Sequence, residues 1–94
     1  MTEWTFAQSQ PTDQLALLHF FSVKKPQAGG EVEFIITVKE YATPSDESMR
    51  FFAITDKQTN QKGVPYTPCG WGNTMLKALA ECVKAVHLFP YEGA

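Results

Sequence analysis

Long apolar runs are missing from this chain. None approaches the ~18 residues that span a membrane, so no membrane partner is expected. The start, Met1-Thr2-Glu3-Trp4, has neither the basic stretch nor the apolar core of a secretory leader, and a cytoplasmic location is expected. Cysteine is scarce: Cys69 and Cys82 form no CxxC pair, and no second pair or HxxxH accompanies them to complete a zinc site. With two histidines and no clustered acids at ligand spacing, no metal and no cofactor are expected. A phosphate-cradling GxxxxGK is absent, and neither Asn60 nor Asn73 has Ser or Thr two residues on, which removes the glycosylation signal. The net charge of −2 and 13% aromatic content are unlike a disordered chain.

What is present is a 94-residue chain that is 44% hydrophobic, the profile of one soluble domain with a single core. Its small net charge hides an asymmetry. Residues 1–47 hold three lysines against seven acids, a balance of −4. Residues 48–90 hold Arg50, Lys57, Lys62, Lys77 and Lys84 against Asp56 and Glu81, a balance of +3. Five scattered cations are thin for a nucleic-acid surface, whose affinity comes from neutralising many phosphates.

Along the chain, Val32, Phe34, Ile36 and Val38 alternate with Glu31, Glu33, Thr37 and Lys39, which predicts a strand over 31–41. A second strand is expected over 48–56, joined to the first through the turn chemistry of residues 42–47. Residues 14–24 fit a strand ending at the Lys25–Gly30 turn, although Pro11-Thr12-Asp13 could also open a helix there. Residues 57–72, rich in Gly and Pro, read as a loop with a short strand near 64–67. A helix is expected over 73–89: Met75, Leu76, Leu79, Cys82, Val83 and Val86 recur at helical spacing, while Lys77, Glu81 and Lys84 form a solvent stripe. Residues 1–13 are an N-terminal arm and 90–94 a tail. The expected fold is a single α+β domain, an antiparallel three- to four-stranded meander with one C-terminal helix on one face (β-β-β-α).

This arrangement leaves an excess of apolar side chains. One face would carry Val32, Phe34, Ile36, Val38, Met49, Phe51 and Ala53, enough for the helix to cover. The other would carry Ile35, Tyr41, Phe52 and Ile54, with Leu18 and Phe20 if the first strand forms. Either the termini fold over it, with Trp4, Phe6, Phe89 and Tyr91 available, or it is a homodimer or partner surface. The candidate interaction surface is Ile35, Phe52, Ile54, Tyr66 and Trp71.

The segment from Pro65 to Thr74 holds the other candidates. Gly70, Gly72, Asn73 and Thr74 precede the helix, where backbone N–H groups backed by a helix dipole can receive an anion; the bland reading is a tight loop with a capped helix. Cys69 before a helix start could be an activated thiol. It needs a base, and His87 at the helix's far end, roughly 18 Å of rise away, is out of reach. His19 is the remaining partner, otherwise a satisfied core or edge histidine. Glu31 and Glu33 point off the core face together and read as solvated acids.

If residues 12–24 were helical, the order would become α-β-β-β-α, which resembles the double-stranded RNA-binding domain. That family's helix start reads Gly-x-Gly-x-Ser/Thr-Lys-Lys-x-Ala-Lys, matched here by Gly70, Gly72, Thr74 and Ala78. The family's phosphate-binding lysines fall on Met75, Leu76 and Leu79, so the resemblance implies a shared helix geometry without the charge for RNA.

The expected function is a small non-enzymatic binding domain, self-associating or docking a protein through the second sheet face. The alternatives are nucleic-acid binding, with Lys57, Lys62, Lys77 and Lys84 on phosphates and Tyr66 or Trp71 stacking, and ligand or anion binding at Gly70–Thr74.

Overall fold

The computed structural model describes residues 3–27 and 29–92. Residues 1–2 of the predicted arm, Ala28 of the predicted turn and residues 93–94 of the predicted tail lie outside the described residues. Two long strands dominate: β1 (Ala16–Gln27) and β2 (Gly30–Tyr41) pair antiparallel along their whole length, from Ala16↔Tyr41 to Gln27↔Gly30. Residues 12–24 therefore carry a strand and no α-helix, which overturns the α-β-β-β-α alternative. Lys25 and Pro26 belong to the strand instead of the turn. Proline is compatible with that place because it sits at an edge, where its missing N–H costs no ladder bond.

A 3-10 helix, Glu47–Met49, precedes β3 (Phe51–Thr55), so the second strand starts later than its alternation predicts. The cause is local: Asp46 Oδ1 accepts the Ser48 N–H at 2.9 Å and turns the chain before the strand begins. Met49, expected in the core, is consequently exposed. The predicted loop resolves into a small hairpin, β4 (Thr59–Gln61) and β5 (Val64–Tyr66), followed by β6 (Cys69–Gly72). The hairpin turns at Lys62 and Gly63, both at positive φ. The main sheet runs β1-β2-β3-β6, and helix α1 (Met75–Val86) follows it directly. The molecule is thus a small α+β fold, an antiparallel four-stranded sheet with a single C-terminal helix.

Thr74 caps α1, its Oγ1 accepting the Lys77 N–H at 3.1 Å. Ala78, Cys82, Ala85 and Val86 are the helix's buried residues. They pack with Ile36, Val38 and Ala53 in a core to which Phe21, Val23, Phe51, Met75, Leu79 and Val83 contribute. Leu76, grouped with the apolar stripe in the sequence, is 76% exposed, because small Ala78 and Cys82 set the line of closest approach. The helix can lie this close because β6 carries glycine beneath it. A Cβ on Gly70 would stand 2.5 Å from the Ala78 carbonyl, and one on Gly72 2.5 Å from Lys77 Cβ.

Beyond the helix, the tail packs on the inner face near the far end of the hairpin. The Tyr91 ring meets Phe34 edge-on, and Gln27 Nε2 donates to the Tyr91 carbonyl at 2.9 Å. Lys25, a cation with its side chain turned inward and buried, donates to the Val86 carbonyl at 3.0 Å and the Phe89 carbonyl at 2.5 Å. It thereby satisfies carbonyls at and beyond the helix's C-terminal end.

Candidate functional site

The pleat decides what the outer face displays. Side chains directly opposite one another share a face, so the register gives two rows across all four strands. One is Leu18–Lys39–Phe52–Trp71 and the next is Phe20–Thr37–Ile54–Cys69; Ser22 and Ile35 continue the face beyond them. The helix and the tail both lie on the opposite side. Phe20 is 65% exposed, Leu18 46% and Trp71 44%, while Ile35, Phe52 and Ile54 are half-buried.

An aromatic ridge closes one end. The Trp71 ring lies 4.4 Å from Phe52 and stacks on Tyr41 at 6.4 Å. The N-terminal segment reaches this end, since Gln8 bonds to Thr43 and accepts the Leu15 N–H. Pro11 and Gln14 then join Tyr41, Met49 and Trp71 around a cavity of about 320 Å³. Phe6, one of the aromatics available to cover the face, is 77% exposed. Phe89 and Tyr91, two others, are engaged on the inner side with Tyr66 and Phe34.

Of the five surface candidates, the fold brings together Ile35, Phe52, Ile54 and Trp71. Tyr66 is separate: it lies in β5 and meets Phe89 edge-on at 5.1 Å, near the end of the helix remote from Trp71. Cys69 joins the face, a position concealed in sequence by the expectation of a loop. The signal available was the period-two spacing of Cys69 and Trp71 between glycines.

At the helix start, Gly70 and Gly72 face the inner side beneath α1. The Thr55 N–H donates to the Pro68 carbonyl, which sets the alternation by which Gly70 and Gly72 turn their backbone groups to Ala53 and Phe51. Asn73 is exposed and Thr74 is occupied as the cap. These four residues form a close-packed strand-to-helix junction.

Cys69 and His19 sit on opposite edges and opposite faces of the sheet, and His19 Nε2 is 3.0 Å from Glu40 Oε1. The exposed Cys69 thiol and the buried Cys82 thiol are both free. Burial, with a smaller contribution from Cys69, pushes the Cys82 thiol up to about 12, so it is a core side chain and a poor nucleophile. Glu31 and Glu33 are exposed, Glu33 accepting a bond from Ser22 Oγ at 2.5 Å. Among the described residues no three His, Cys, Asp or Glu side chains converge as metal ligands. No helix among them is long and apolar enough to cross a membrane.

The cations of the C-terminal half are dispersed. Arg50 pairs with Glu47 at 2.9 Å and Lys57 with Asp56 at 3.1 Å. Lys62 stands in the β4–β5 turn, Lys77 beside Trp71 at the β6 edge, and Lys84 in the last turn of α1. Comparison of the chain with protein-family models, with curated proteins and with solved structures finds no match.

Proposed function

We propose that this chain is a small, non-enzymatic protein-interaction domain, acting in the cytoplasm, that self-associates through the outer face of its sheet. The observation that supports the reading is the two apolar rows, Leu18 with Phe52 and Trp71, and Phe20 with Ile54, on the side away from the helix. Singly exposed apolar side chains are ordinary, but several gathered on one sheet face are what associating surfaces display. Lys39 and Thr37 at its centre can accommodate polar contacts, and Trp71 is the type of rigid aromatic that anchors interfaces. The two free thiols are in keeping with a reducing compartment.

The test is the mass in solution of the wild type and of Ile54→Lys, by light scattering over a range of concentrations. Self-association in the wild type, reduced in the variant while its helical and sheet circular dichroism persists, is the expected result. A wild type that stays monomeric throughout overturns the reading.

A further inference from the structure

We propose that β1 is a second interaction element, a free sheet edge that pairs antiparallel with β1 of another copy across a two-fold axis centred on Phe20. The proposal goes beyond the face reading, because it rests on unpaired backbone groups instead of apolar area.

The direction of those groups follows from β2. The Ile35 N–H donates to Asp56 Oδ1 and its carbonyl accepts the Asp56 N–H, both at 3.0 Å, so Ile35 turns its backbone away from β1. Its partner Ser22 must then turn both groups outward, and strand alternation extends this to Ala16, Leu18, Phe20 and Lys24. Pro26 obeys the same parity, its missing N–H falling on the outward side. Among the described residues, the outward groups of Leu18, Phe20, Ser22 and Lys24 take part in no backbone bond.

Three features select a second copy as the occupant. The outward-facing residues, bounded by Pro26, run symmetrically about Phe20, which is also the most exposed apolar side chain of the strand. A two-fold axis at Phe20 sets Leu18 opposite the partner's Ser22 and Lys24 opposite the partner's Ala16, so no cation meets a cation on the outer face. On the inner face it sets Leu17 against the partner's Val23 and His19 against the partner's Phe21. Finally, the lysine and proline by which long edges are guarded against pairing enter β1 only at its end, at Lys24, Lys25 and Pro26, and leave residues 16–23 around the axis unguarded. β6, the opposite edge, has only four residues. The resulting eight-stranded sheet would join the two outer faces into one.

The experiment compares Ser22→Pro with a pair of cysteine variants built on Cys69→Ser. Proline at 22 removes an outward N–H and the Ser22–Glu33 side-chain bond, and leaves the β1–β2 backbone ladder intact. Phe20→Cys places the two thiols in directly opposed residues, with Cα atoms about 5.5 Å apart, inside the range a disulfide spans. Lys24→Cys places them about 27 Å apart. The expected results are an associated wild type, half its mass for Ser22→Pro, and an interchain disulfide on mild oxidation of Phe20→Cys only. Retention of the full wild-type mass in folded Ser22→Pro, or equal cross-linking of the two cysteine variants, overturns the proposal. So does a monomeric wild type, including one that binds an extended peptide along β1. If Ser22→Pro does not fold, the two cysteine variants decide. A mass unchanged by Ile54→Lys but halved by Ser22→Pro upholds the edge and rejects the face, and the reverse result rejects the edge alone.

Discussion

Asp56 stands where β2 outruns β3, and its two bonds to Ile35 continue the ladder past the last strand residue, Thr55. Burial works against its charge, but the Ile35 N–H and the adjacent Lys57 ammonium outweigh that and hold the carboxyl below the ordinary aspartate value of 3.8. The folded state therefore binds fewer protons than the unfolded chain in that acid range, and stability falls as pH falls. Wild type is expected to exceed Asp56→Asn in urea stability above pH 3.8, with the gap closing as pH drops through the lowered folded value. A gap unchanged between neutral pH and acid below that value counts against this account. The role was illegible in the sequence, where Asp56 is only the end of a predicted strand beside a lysine.

Among the elements, β6 and α1 are mutually dependent. Glycine is a poor strand former, and CGWG has two glycines in four residues. It forms a strand because β3 supplies the ladder and the helix needs bare backbone beneath Ala78 and Cys82. Gly70→Ala inserts a Cβ 2.5 Å from a backbone oxygen and 2.8 Å from the Cys82 nitrogen, which no side-chain rotation relieves. We expect a loss of about 1–3 kcal/mol, measured by urea unfolding. A neutral effect would show that α1 is not held this close. The glycine spacing was visible from the start, but without the sheet order its purpose was not. β1 shows the opposite case, since its alternation was readable while apolar residues on both of its faces kept a helix in contention.

At the scale of the molecule, shape follows from one hairpin. Strands of 12 residues reach about 40 Å. The molecule measures 47 × 22 × 21 Å, with a radius of gyration of 15.0 Å. A compact chain of this length would have about 12 Å. β3 supports only Ile36–Glu40 of β2, so the hairpin's far end depends on the tail. Lys25 makes that connection across 61 and 64 residues of sequence, and burial lowers its pKa from the ordinary lysine value. Lys25→Met retains the aliphatic stem but strands the Val86 and Phe89 carbonyls. It is expected to cost about 1–3 kcal/mol in urea unfolding. Faster amide exchange in residues 30–34 than in Ile36–Val38 would locate the loss at the far end. A variant as stable as wild type, with unchanged exchange, would show that the tail holds without the lysine.

Local spacing in the chain was sufficient for the strand at 31–41, the α+β class, the surplus of apolar side chains on a second sheet face and a helix, expected over 73–89 and found at Met75–Val86. Periodicity is a property of near neighbours, and it specifies which residues share a face. Only the tertiary structure decided what each face meets. It exposed Leu76, buried Lys25, engaged Phe89 and Tyr91 on the inner side, and separated Tyr66 from Trp71. Those outcomes depend on partners up to 64 residues away, whose positions no local pattern encodes.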